Sequence, residues 1–281
     1  MWQRERLAPA TIQTYLSFLR GLATWMGKPG FVRGPAHYGL SLQEYQRHEN
    51  AQRDKSWSAQ GIATDELLAQ VCAYDPRVGA SLKLMQAFAL RKKESVQFRP
   101  FEHVVPFAET GLPESQREAD RYVSVKGKGG RVRWVPVTLP HRVAALEAAQ
   151  QVVTSRDAHM GAPDRDLKRN LRHLEYVLEK FGITLRERGI TGHGLRHEEL
   201  NDKYEGVAGV PSPVRGAGPV SAALDREARL AVSRLAGHAR IRASGAYVGG
   251  MKKRSGPQDA RSDPPAGTKR GHDDDTPLGA A

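Results

Sequence analysis

"RYVSVKGKGGRVRWVPV", running from Arg121 to Val137, is the stretch that sets the fold class of this 281-residue chain. Two arms of alternating β-branched and polar residues flank a glycine-rich turn, which is the pattern of a β-hairpin. The flanking sequence carries helical spacing instead. Towards the N-terminus, "DELLAQVCAYD" opens a helix at Thr64 or Asp65, and "GASLKLMQAFALRKKESVQFRP" continues helical to about Glu94. Towards the C-terminus, helices are predicted at His141–Val153, Asp164–Phe181 and around "GHGLRHEEL". Gly206–Pro219 reads as loop; Ser221 then caps a helix to Ala236, and Gly237 stops it. The class is therefore mostly α with a small β-hairpin or sheet (α+β).

The ends read differently. "LAPATIQTYLSFLRGLATWMGK" (Leu7–Lys28) predicts an amphipathic helix capped by Thr11, with Ile12, Tyr15, Leu16, Leu19, Leu22 and Ala23 on one stripe. A polar helix is expected around Ser41–Arg53, and Asp54–Thr64 reads as a boundary. Beyond Gly250 the chain is charged at both signs, rich in proline and glycine and poor in apolar residues, the composition of a disordered tail. The predicted organisation is thus a short helical segment over 1–57, a main domain over 62–250 and a tail over 251–281.

A net charge of +12 favours polyanionic partners, and 39% apolar residues suffice for a core. No apolar run approaches the ~18 residues of a membrane span, so no membrane role is expected. No signal peptide opens the chain. Cys72 alone excludes an internal disulfide and a multi-cysteine zinc module, and a cytoplasmic location is expected.

Taken singly, the candidate functional residues are ordinary. Arg91 stands at a helix end with Glu94 three residues on, where a basic residue complements the dipole. Lys128 lies in the "KGKGG" turn; a phosphate-binding loop is excluded there, because glycine follows the lysine and the chain enters a strand. His193 and Arg196 are one helical turn apart. His193 and His197 have zinc-ligand spacing, but Gly194 occupies the position where the metalloprotease motif requires glutamate, and no third ligand suggests itself. His238 follows Gly237, and Tyr247 comes nine residues later.

The order and spacing of these parts resemble the catalytic domain of the tyrosine recombinases, the phage-integrase family. The likeness runs from about Thr64 to Val248 and rests on "ALRKKE", "VKGKGGRVRWVPV", "HGLRH" and "LAGHARIRASGAY". It implies that Arg91 and Arg196 clamp the non-bridging oxygens of a scissile phosphate and that Lys128 protonates the leaving 5′-oxygen. It further implies that His193 hydrogen-bonds the phosphate or takes the tyrosine proton, that His238 fills a second hydrogen-bonding position, and that Tyr247 is the nucleophile. No cofactor and no metal are implied. The implied partner is double-stranded DNA, bound by a homotetramer on paired sites, with accessory DNA-bending proteins, in a nucleoid-associated cytoplasmic setting of a phage or integrative element.

The chemistry fits the residue types. A phosphodiester and an incoming phenolate are both anions, so attack requires positive charge at the transition state. Guanidinium stays charged and meets two oxygens with one planar fork. Residues 1–57 resemble that family's helical core-binding domain, in a form short for it. Two departures stand out: the gap from Arg196 to His238 is long, through the Gly206–Pro219 loop, and the acidic pair Glu198 and Glu199 follows "HGLRH". A decayed, non-catalytic DNA-binding protein and a type IB topoisomerase are the competing readings.

Overall fold

The structure, a computed structural model, describes residues 7–47, 49–127, 129–216 and 218–250. The expected tail over 251–281 lies outside the described residues, as does Lys128.

Helix α1 (Pro9–Trp25) starts on a proline in its first turn after Ala8, so Thr11 does not cap it. Its stripe divides: Ile12, Leu16 and Ala23 are buried, whereas Tyr15, Leu19 and Leu22 are exposed. Ile12 and Leu16 form a small cluster with Leu40, against which Leu7, Val32 and Tyr45 pack. The polar helix expected over Ser41–Arg53 is only the short α2 (Leu42–Tyr45), held at its start by the Glu44 carboxylate on the Ser41 N–H and hydroxyl at 2.8 Å each. The described residues beyond it up to Arg53 form no helix, because their polar side chains supply no apolar stripe for a core to hold.

The stretch read as a boundary is anchored instead of free. Trp57 is completely buried in the main core, and its Nε1–H donates to Thr191 O at 2.8 Å. The Trp57 and Ser58 backbone N–H groups donate to one Glu198 oxygen at 3.0 and 3.3 Å. Gly194 permits this approach, since a Cβ there would fall 2.6 Å from Lys55 O and 2.7 Å from the indole ring.

The main core is built around α4 (Pro76–Ala87), whose Leu82, Leu84 and Met85 are fully buried. Asp75 caps α4 through the Val78 N–H at 2.9 Å, and Pro76 fixes its first turn. Around it pack α3 (Thr64–Tyr74), α6 (Pro140–Val152), α7 (Leu167–Lys180), α8 (Gly192–Ala208) and α9 (Ala222–Ala236). The α9 limits follow the sequence reading: Ser221 caps at 3.2 Å and Gly237 stops the helix at φ +70°.

The hairpin is present as β2 (Arg121–Lys126) and β3 (Val132–Pro136), antiparallel with Ser124 opposite Trp134. A strand not anticipated, β1 (Val104–Pro106), pairs antiparallel with β2 to give the order β1-β2-β3. The fold is thus mainly helical with one small antiparallel sheet. No described helix is long and apolar enough to cross a membrane.

The helix expected to run through Glu94 breaks at residues 88–91. Ala89 adopts φ +49°, and α5 (Lys92–Val96) begins afterwards. A non-glycine residue there costs on the order of 1–3 kcal/mol, and such strain persists only where surrounding contacts impose it.

Trp57→Ala should lower stability by about 3–5 kcal/mol, measured by urea unfolding. A loss below about 1 kcal/mol would contradict a core position for this residue.

Candidate active site

Arg91 does not close a helix. It precedes α5, and the Glu94 carboxylate reaches back to it, accepting from its backbone N–H at 2.9 Å and its Nη1 at 2.6 Å. The break at Ala89 aims the Ala89 carbonyl inward, where Arg196 Nη1 and Arg133 Nη2 donate to it. Arg133 is the inward position of β3 and is buried; its Nη2 meets Glu94 Oε2 at 2.8 Å. Arg196 Nη1 lies 4.0 Å from the same carboxylate.

Arg196 has no exposed surface. It sits on α8, and its Nη2 donates to Ala236 O, the last residue of α9, at 2.7 Å. Arg91 Nη2 reaches that carbonyl too, at 3.4 Å. The Arg196 Nε donates to the Tyr247 hydroxyl at 3.1 Å, and its guanidinium carbon stands 5.3 Å from the Tyr247 ring centre. Burial lowers the Arg196 pKa to about 10, so the group remains a cation at neutral pH.

Tyr247 is buried on the short helix α10 (Gly245–Val248), inside a ring of imidazoles. His197 is nearest at 4.8 Å between ring centres, His238 stacks at 5.6 Å, and His193 stands at 6.0 Å. The Nδ1 atoms of His197 and His238 and Nε of Arg133 are buried without a hydrogen-bond partner among the described residues. Burial, reinforced by the Arg196 and Arg91 charges, holds His193 and His238 at about 4. Burial and the neighbouring His193 hold His197 at about 3. All three rings are therefore neutral near pH 7. Burial would raise the Glu94 pKa, but the Arg133 hydrogen bond and charge, with the Arg91 N–H, outweigh it and hold it at about 2.

The structure thus brings together Arg91, His193, Arg196, His238 and Tyr247. Lys128 lies outside the described residues, but its neighbour Gly127 stands beside the cluster: a Cβ there would be 3.6 Å from Nη1 of both Arg91 and Arg133. A cavity of about 910 Å³ opens here, lined among others by Arg91, Glu94, Ser124, Lys126 and Gly127. The sequence reading did not assign Glu94, Arg133 or His197 to the site. Glu94 three residues after Arg91, an arginine inside the hairpin alternation and the i, i+4 histidine pair were the available signals. Among the described residues no three His, Cys, Asp or Glu side chains converge as metal ligands would.

The acidic pair after "HGLRH" faces away from this cluster. Glu198 binds the Trp57 and Ser58 N–H groups, and Glu199, buried, accepts from Arg142 Nη2 at 2.6 Å.

Comparison with known proteins gives three results. The family model described as Integrase matches residues 52–204. No curated protein matches the sequence. The crystal structure of the XerH site-specific recombinase bound to its difH substrate, a pre-cleavage complex, is 13% identical; the alignment covers 88% of this chain and 68% of that one, with a TM-score of 0.45.

The lowered imidazole pKa values set a pH dependence. A histidine whose folded pKa is depressed contributes full stability above its unfolded value, near 6.5, and loses it as pH falls towards about 4 for His193 and His238. Glu94 adds a second loss below its ordinary 4.5, extending to about 2. Melting temperature should therefore fall continuously from pH 6.5 downwards, and Glu94→Gln should make the limb below pH 4.5 shallower, leaving the part due to His197, which is held at about 3. A melting temperature flat from pH 7 to 4.5 would contradict the buried neutral imidazoles.

Proposed function

The chain belongs to the integrase family of site-specific recombinases, and we propose that it cleaves and rejoins double-stranded DNA through a 3′-phosphotyrosyl intermediate on Tyr247. The observation that carries this reading is a convergence from distant parts of the chain: Arg196 on the Tyr247 hydroxyl, three neutral imidazoles around its ring, and Arg91 on the Ala236 carbonyl that Arg196 shares.

In the forward step Tyr247 Oη attacks phosphorus and the 5′-oxygen leaves. The attacking hydroxyl loses its proton to His193, a neutral ring whose basicity rises once a bound phosphate offsets the Arg196 and Arg91 charges that depress it. The leaving oxygen gains a proton from Lys128. Attack of a 5′-hydroxyl on the phosphotyrosine reverses both transfers, so the bond energy is conserved and no nucleotide cofactor is needed. Arg196 holds the tyrosine hydroxyl through Nε, which stabilises negative charge developing there. A guanidinium has five N–H donors, and the Arg196 contacts to Tyr247, Ala89 and Ala236 use three of them. The remaining two are left for a phosphate oxygen. His238, stacked on the tyrosine, would supply a further hydrogen bond to the phosphate.

In this reading the helical segment over 1–57 and the excess basic charge serve DNA binding. The protein acts as a homotetramer on paired sites, assisted by accessory bending proteins. The intact set of charged and imidazole groups favours an enzyme over a decayed binding protein.

The test is covalent capture on nicked duplexes carrying the candidate attachment site. Wild type should form a protein–DNA adduct, and Tyr247→Phe should form none while still binding DNA. An adduct that persists in Tyr247→Phe removes Tyr247 as nucleophile. Relaxation of plasmid lacking any special site would turn the reading towards a topoisomerase. Arg91→Lys should slow adduct formation by about 10²–10³-fold, and near-normal rates would mean the clamp is misassigned. Lys128→Ala should be restored by a 5′-bridging phosphorothiolate, whose thiolate leaves without a proton. Absence of rescue would exclude Lys128 as the acid and shift the role to Lys126.

A further inference from the structure

The described residues of the long loop after α8 contribute no side chain to the arginine cluster, yet they touch the helix that bears the tyrosine. Pro213 and Val214 lie in a 3-10 turn (Pro213–Arg215) pressed against Gly249, where a Cβ would fall 2.9 Å from Val214 Cγ1 and 3.4 Å from Pro213 Cβ. Gly249 holds φ +89°, so both its conformation and its crowding require glycine. Ser212 seats the turn on α8 through a fully buried hydrogen bond from its hydroxyl to Asn201 Oδ1 at 2.6 Å.

The entry segment from the N-terminal part also runs against α10. Ala51 N–H donates to Gly245 O at 2.7 Å, and a Cβ at Gly245 would fall 2.1 Å from Asn50 Oδ1. The helix is thus held by residues 50–51 and by the turn at 213–215. A helix of this length cannot fix itself.

Arg215 joins the entry segment to α8. Its Nε donates to Asp54 Oδ2 at 2.9 Å and its Nη2 to Ser56 Oγ at 3.1 Å, both on the entry segment. Its Nη1 donates to Asp202 Oδ1 at 2.6 Å and Glu205 Oε1 at 3.2 Å, both on α8. The side chain is 16% exposed, and its carboxylate partners hold its pKa above the ordinary arginine value despite burial.

We infer that Arg215 is a positioning residue for Tyr247: by tying the entry segment to α8 across the loop, it fixes α10 and sets where the hydroxyl stands. The inference rests on the reading of Tyr247 as nucleophile. Arg215 touches no reacting atom. Its effect is geometric, and a misplacement of about 1 Å costs on the order of 10²-fold in rate.

The experiment uses the full-length chain with Arg215→Ala and Arg215→Lys. Adduct formation by Arg215→Ala on the nicked duplex should slow about 10–100-fold, with DNA binding unchanged and partial recovery in Arg215→Lys. Hydrogen exchange of the peptide covering 245–250 should quicken, while α4 stays protected. Hydrogen peroxide then separates positioning from general damage. As a small nucleophile attacking the scissile phosphorus in a Tyr247→Ala background, it needs no placed helix, so strand cleavage should be equally fast with and without Arg215. Unchanged exchange at 245–250, or peroxide cleavage falling as far as tyrosine cleavage, overturns the inference while leaving the nucleophile assignment intact. A wild-type protein that forms no adduct overturns that assignment, and this inference with it.

Discussion

One carboxylate, Glu94, stands among three guanidinium groups. It lies 2.6 Å from Arg91, 2.8 Å from Arg133 and 4.0 Å from Arg196. These side chains come from the turn after α4, the hairpin and α8, so a single negative charge ties together the pieces that the site requires. It cannot neutralise them. The carbonyls of Ala89 and Ala236 take up guanidinium N–H groups, satisfying hydrogen bonds without cancelling charge. Removing such cations from water is costly unless an anion completes the balance. The residual positive charge faces Tyr247, and a phosphodiester is the anion whose geometry matches a guanidinium fork.

The imidazoles divide the work differently from the arginines. Held near 4 and below, His193, His197 and His238 carry no charge at neutral pH. In the proposed reaction positive charge comes from groups that keep it at any working pH, and proton movement falls to groups that can exchange one. The same burial that keeps the rings neutral also keeps Tyr247 out of water.

Much of this was legible in sequence because it lies in strong local signals. The hairpin alternation, the Ser221 cap and the Gly237 stop each need only neighbouring residues, and each recurs in the structure. Of the ordered set, Arg91, His193, Arg196, His238 and Tyr247 stand together in the structure. What sequence could not show depends on distant partners. The break after α4 falls at Ala89, where no glycine or proline announces it, because Arg196 and Arg133 impose it from far along the chain. Trp57 falls in the stretch read as a boundary, and only its distant partners Thr191 and Glu198 show that it is held in the core. Glu198 and Glu199 looked hostile to an anion site, but a helix separates neighbours by direction, and these two turn towards the entry segment and Arg142. The β1 strand is three residues long and pairs only because β2 is beside it.

The central claim is that the arginine cluster exists to neutralise phosphate charge. It is tested most directly by comparing Arg91→Ala with wild type on two duplexes, one with an ordinary scissile phosphate and one with a neutral methylphosphonate at that linkage. If charge neutralisation is the role, the variant should lag far behind wild type on the phosphate and nearly match it on the methylphosphonate. An equal deficit on both substrates would contradict the account, because a group whose loss is felt without any charge to neutralise is serving another purpose.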